Sequence, residues 1–323
     1  MDEIAYAPYV RSNYEKDTMH LFVLSFCFAL LVVSPSAADR ATYVDLARQG
    51  WNYQLRTTML GRDMSIPVHI NGRDLAGSSL CVVGEKPHPR SLEIINAFRA
   101  LSAHVFAKPL TMRYAGKDAS GCGTGRTVIL RLYSGHPPNR AFSSDLHWMN
   151  QTYQLGLSDN NFYAATSPAM AQTFFGRRGQ GTHIMVKQPA LSHPGQLERA
   201  FYKSILVEEL FQSFTYGMDI LQFDRTAAFQ SKLQEKPFSL YRLPWNSHDF
   251  MRALLRSNPA GLCAFDVFMM HAVALAPVDQ TVDPDFIDFI DREYEQLVAQ
   301  ATATMADARF SAIVAPGCLR APT

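Results

Sequence analysis

The chain has 323 residues, 47% of them hydrophobic and 18% charged, and its 30 basic and 29 acidic side chains leave a formal net charge of +1. That is a globular composition with enough apolar side chain for a sizeable core. Nucleic-acid affinity rests on clustered Lys and Arg; the densest basic spot here is Arg177-Arg178 in FFGRRGQG, which reads as a loop tip, so a nucleic-acid partner is excluded.

LFVLSFCFALLVV, residues 21–33, is an uncharged run of 13, apolar apart from Ser25 and Cys27. A bilayer span needs about 20 apolar residues and a signal-peptide core about 7 to 15. The run therefore reads as an export signal over residues 1–38, cut before Asp39 behind the small residues Ser36 and Ala38. The stretch ahead of it is long and mixed in charge, which makes Met19 the alternative start. An uncleaved anchor is the competing reading, and the bulky Phe26 before Cys27 does not suit a lipoprotein. Export to a secreted or periplasmic location leaves four cysteines in an oxidising compartment, with no membrane span after cleavage. Three pairings are open. Cys81–Cys122 and Cys263–Cys318 are expected, because each keeps its bridge within one half of the chain.

Residues 39–323 read as a single secreted domain. Strand patterns fall at IPVHING (residues 66–72), PLTMRYAG (109–116), RTVILRLYSG (126–135) and THIMVKQ (182–188), the first three closed by Gly. SLEIINAFRALSAHV between the first two is a helix pattern with Leu92, Ile95, Phe98 and Leu101 on its apolar face. The Gly-rich AGKDASGCGTGR (115–126) feeds a strand rather than a helix, so it is a connector tied down by Cys122 and not a phosphate loop.

Helices follow. GQLERAFYKSILVEELFQSF carries Leu197, Phe201, Ile205 and Glu208 on one stripe. NSHDFMRALLRSNPAG opens with a capping-box-like Asn246/Asp249 pair and stops at Asn258-Pro259. GLCAFDVFMMHAVALAP is strongly apolar, and the last helix starts at Asp283-Pro284 with Phe286, Phe289, Ile290, Leu297 and Val298 buried. The fold class is α+β, an N-terminal mixed sheet with helices and a mainly helical C-terminal half.

ILVEELFQSF raises the functional question, because it sets Glu208 and Glu209 side by side in an apolar helix. Glu208 and Gln212 share a face while Glu209 sits about 100° around. That is the geometry of HExxH, where positions one and five hold zinc and position two is the general base. Glu209 is thus the candidate catalytic residue, and Glu208 and Gln212 are the candidate metal ligands if any metal binds. Zinc prefers imidazole and thiolate, so no zinc cofactor is expected; a glutamate with a glutamine suits another divalent cation better. The structural alternative is a buried network in which Lys203, Arg225, Arg256 or a helix N-terminus satisfies the glutamates. Gly217 and Asp219 lie at the turn beyond the helix. Asp266 is a lone acid amid apolar neighbours, expected to partner an Arg or a helix terminus.

VEELFQSF, LCAFDVFMMHAVALAP and the export signal together resemble a bacterial family of secreted domains of unknown function. Its hallmark is an EExxQ helix followed by a helix with an FD pair, here Glu208, Glu209, Gln212, Phe265 and Asp266. The resemblance implies a zincin-like layout, over about residues 66–277, that has lost the zinc-binding histidines. It implies no activity. The expectation is a non-catalytic binding or scaffolding domain of the cell envelope, with an unidentified peptide or envelope protein as partner and the groove beside Glu208, Glu209, Gln212, Asp219 and Asp266 as its site. The alternative is a peptidase-like metal-dependent hydrolase with Glu209 as general base.

Overall fold

The computed structural model describes residues 37–51, 78–190, 193–237, 243–315 and 318. The expected export signal and the strand at residues 66–72 lie outside them. The described residues form one compact unit. Its core is a five-stranded mixed sheet of β1 (Ser79–Gly84), β2 (Met112–Gly116), β3 (Thr127–Tyr133), β4 (Ala169–Gly176) and β5 (Gly179–Lys187), in the order β2-β1-β3-β5-β4. All neighbours run parallel except β4, which returns antiparallel to β5 through a hairpin with Arg177-Arg178 at its tip.

Both faces of the sheet are covered, which is why β3, TVILRLY, is buried throughout. The two-residue alternation of each strand sorts side chains between two cores. Leu80, Val82, Leu130 and Ile184 face one side with helices α2 (Pro89–Phe106) and α4 (Gln196–Thr215). Cys81, Val83, Ile129 and Met185 face the other with α3 (Asn139–Tyr153). The Cys81–Cys122 disulfide closes this second core and pins the Gly-rich connector, whose residues Ala119–Cys122 make a short 3-10 turn.

Helix α1 (Ala37–Gly50) and the C-terminal helices α5 (His248–Ser257), α6 (Ala264–Leu275), α7 (Pro284–Arg292) and α8 (Tyr294–Ala306) pack on the first core. Cys263 caps α6 and is bridged to Cys318. Both disulfides are the expected ones, and two disulfides are consistent with a secreted protein. Among the described residues no helix is long and apolar enough to cross a membrane.

Three expectations need correction. The N-cap of α5 is Ser247, whose Oγ accepts from Phe250 N, rather than Asn246. Leu92 stands 36% exposed, and the buried stripe of α2 runs through Ile94, Ile95, Phe98 and Leu101 instead. The last predicted helix is two, broken at Glu293.

Candidate functional site

Helix α4 brings Glu208 and Glu209 to the end of the sheet, beside β4. The helix stops at Tyr216 in a left-handed turn. Gly217 then packs so tightly that a Cβ there would come within 2.7 Å of Leu233. The chain next forms a short parallel pair, β6 (Ile220–Leu221) with β7 (Gln234–Glu235). That pairing sets Asp219, just ahead of β6, and Glu235, on β7, against Glu208: carboxylate oxygens of the three lie within 4.8 Å of one another.

Glu208 is held from two sides. The Lys232 ammonium sits 2.9 Å from its Oε2, and the Asn258 amide donates to both oxygens at 2.8 and 2.7 Å. Lys232 is wholly buried and also donates to Ser204 Oγ and to Pro259 O. An unpaired ammonium there would be costly, so Glu208 has a structural duty. The sequence-expected cations serve elsewhere: Lys203 donates to Val314 O, Arg225 to Pro237 O, and Arg256 is exposed.

Glu209 is different. It is 8% exposed and, among the described residues, makes no hydrogen bond or ion pair. Burial first, and then the charges of Glu208 and Asp219, push its carboxyl well above the usual range. Burial and the Glu208 and Asp219 charges likewise lift Glu235 to about 8. Asp219 is exposed on its outer side, and Gln212 donates its amide to it; desolvation and the Glu208 charge raise it to about 6. Four carboxylates therefore gather near one ammonium, which only Glu208 touches.

These groups line a cavity of about 420 Å³ together with Ala169, Met170 and Ala171 of β4. Lys236 also lines it but turns its ammonium onto Arg225 O and Ala227 O. Among the described residues strand β4 has a single neighbour in the sheet, and Ala169, Met170 and Ala171 at its start line this cleft. Lys187 N donates to Pro168 O, which fixes the phase of the ladder. Met170 and Gln172 exchange their hydrogen bonds with β5, and Ala169 and Ala171 turn theirs outward. A larger cavity of about 610 Å³ opens at Lys187, Tyr202 and Trp245, but it gathers no comparable excess of charge: Lys187 donates to Gly135 O, and burial lowers its pKa.

Glu208, Glu209, Gln212 and Asp219 thus come together as expected from the sequence, and Asp266 does not join them. Its carboxylate accepts from Ser231 Oγ, Lys232 N and Cys263 N at 2.6, 2.7 and 2.7 Å. It is the third residue of its own helix, closing a capping box on Cys263 N, and an anchor for the backbone of Lys232, with burial raising it to about 6. The ligand pair Glu208 and Gln212 is corrected as well: the carboxylates that converge are Glu208, Asp219 and Glu235, and Gln212 orients Asp219. Lys232, Glu235, Asn258 and the β4 edge escape sequence reasoning, because nothing in SKLQEKP signals contact with a helix some 24 residues earlier. Neither a protein-family model, nor a curated protein, nor a solved structure matches this chain.

Proposed function

We propose that this chain is an exported cell-envelope domain, periplasmic or secreted, whose cleft binds an extended peptide segment without turning it over. The observation that carries this reading is the outer edge of β4, which no strand pairs among the described residues. Ala169 and Ala171 point their main-chain N–H and C=O groups into a cleft floored by carboxylates. An unpaired strand edge is a template for another strand, main-chain hydrogen bonds supplying affinity and neighbouring pockets supplying specificity. A zincin-like layout is part of the proposal. It is supported by the order of strand, loop and helix that places Glu208, Glu209 and Gln212 at the cleft. The position that would hold the first zinc ligand is taken by Glu208, bound to Lys232 and Asn258, and the described residues of the cleft wall include no His or Cys. The donors for zinc chemistry are the wrong ones.

One observation favours the hydrolase as a second reading. Glu209 is nearly buried, unpartnered and raised in pKa, as a general base or acid in a cleft would be. The test begins with selection of peptides from a displayed random library on the purified chain and measurement of their affinity by fluorescence anisotropy. Ala171→Pro removes one outward N–H without touching the β5 ladder, and proline is tolerated on an edge strand. Affinity should fall at least about tenfold in that variant, since main-chain hydrogen bonds carry the binding, with the melting temperature unchanged. Equal affinity for both proteins, or no enriched peptide, would end the reading. Cleavage of a selected peptide, abolished in Glu209→Gln, would replace it with the hydrolase.

A further inference from the structure

We infer that the floor of the cleft is a site for a hard divalent cation of the calcium class, held by Glu208, Asp219 and Glu235. The inference deepens the reading of the cleft as a binding site and rests on it. Three separate stretches of chain converge to make the floor: helix α4, the turn before β6, and strand β7. Two of the carboxylates are already aimed, Glu208 by Asn258 and Asp219 by Gln212, so little ordering is left for a ligand to impose.

Glu209 supplies an independent observation. It lines the same cavity and is more than nine-tenths buried, yet it has no partner among the described residues. Its carboxylate opens onto the cavity with no described protein donor to satisfy it, so a ligand in the cavity can reach it. Among the described residues Lys232 is the one cation paired with the cluster, and its ammonium is already shared with Ser204 Oγ and Pro259 O. A second positive charge is what the remaining carboxylates lack.

Donor type selects the ion. Every offered atom is oxygen, which suits calcium, magnesium or manganese rather than zinc or copper. Oxygens within 4.8 Å of one another are close enough to share one such cation. Calcium accepts irregular oxygen sets, whereas magnesium demands near-ideal octahedral geometry and gives up its waters reluctantly, so the set favours calcium. Three carboxylates leave coordination positions open toward the cleft, where waters or the carbonyl oxygens of a bound peptide complete the shell. Glu209 then acts on one of those waters or takes a fourth position.

The experiment is calorimetric titration of the full mature chain, stripped with chelator and dialysed, with calcium chloride and then magnesium chloride. One equivalent of calcium should bind with Kd at or below about 1 mM, the range of extracellular calcium modules, and magnesium at least tenfold more weakly. Asp219→Asn and Glu235→Gln should each weaken calcium at least tenfold while melting no lower than the parent in chelator. A calcium-dependent rise in melting temperature reads the same binding if the heat is small. No saturation by about 10 mM calcium, beyond the weakest such modules, would overturn the site, as would unchanged affinity in both variants. Repeating the peptide measurement in chelator separates the two claims. Peptide bound with no calcium site leaves the peptide reading standing alone; calcium bound with no peptide leaves the cation site alone.

Discussion

Asp145 and Glu209 are both carboxylates taken almost out of water, but their surroundings differ in kind. Asp145, fully buried in the second core, accepts two hydrogen bonds from Arg131 at 2.5 and 2.7 Å, one from His183 at 2.9 Å and one from Ala119 N at 3.1 Å. Burial pushes its pKa up, but the His183 and Arg131 hydrogen bonds win and hold it below the usual carboxylate value. Glu209 has no such partners, and its neighbours Glu208, Asp219 and Glu235 repel it. The first arrangement spends its charge on tying α3 to β3, to β5 and to the 3-10 turn. The second keeps more negative charge than the fold can use, beside an open cleft, and that excess is what separates a site from a staple.

The largest way to sharpen the contrast is Asp145→Ala. It leaves the Arg131 guanidinium buried without its partner, a loss of about 3–5 kcal/mol, read as a shifted denaturation midpoint at unchanged slope. A loss under about 1 kcal/mol, the level of an exposed ion pair, would mean that the triad is not a staple. Next is Glu208→Ala, which strands Lys232 but leaves it Ser204 and Pro259. The expected cost is about 3 kcal/mol, the low end for a broken buried pair. The double variant Glu208→Leu/Lys232→Met should recover most of it, because both charges leave together; failure to recover would mean that packing, not charge, sets the cost.

The two regions also answer pH with opposite signs. The folded pKa of Glu235 is raised, so its contribution is complete below about 4.5 and is lost as pH rises through about 8. The folded pKa of Asp145 is lowered, so its contribution is present above the unfolded value of 3.8 and is lost only in acid. In chelator, stability should therefore decline as pH rises from about 4.5 to about 8, and Glu235→Gln should flatten that decline without changing the acid limb. A decline of undiminished steepness in Glu235→Gln would mean that another group titrates there. The smallest effect is expected from Glu209→Gln, within about 0.5 kcal/mol of the parent or above it, because an isosteric amide replaces a carboxyl that no described partner holds.

Much of the framework was legible in the sequence. The apolar runs at β3 and β5, the Asp283-Pro284 helix start and both disulfides follow from rules that act within a few residues or from cysteine count. β4 was not legible because AMAQTFFG has a weak strand start, and β1 because SLCVVG is too short and evenly apolar to show alternation. Glu208, Glu209 and Gln212 declare themselves by spacing on a helix. Lys232 and Glu235 do not, because only the pairing of two-residue strands across an irregular loop carries them to the floor. Asp266 has the helix-terminus partner expected of it; only its alternative place among the cleft residues fails, because a lone acid among apolar residues looks the same in sequence whether it closes a capping box or lines a cleft.

The most direct test of the central claim needs no ligand. Glu209→Gln, Asp219→Asn and Glu235→Gln are combined, Glu208 and Lys232 are kept, and the denaturation midpoint is measured at pH 8 in chelator. If the excess carboxylates are held for binding at the expense of stability, the triple variant unfolds at a higher denaturant concentration than the parent. If it unfolds earlier, as Asp145→Ala should, the carboxylates are a structural network and the cleft is not the site.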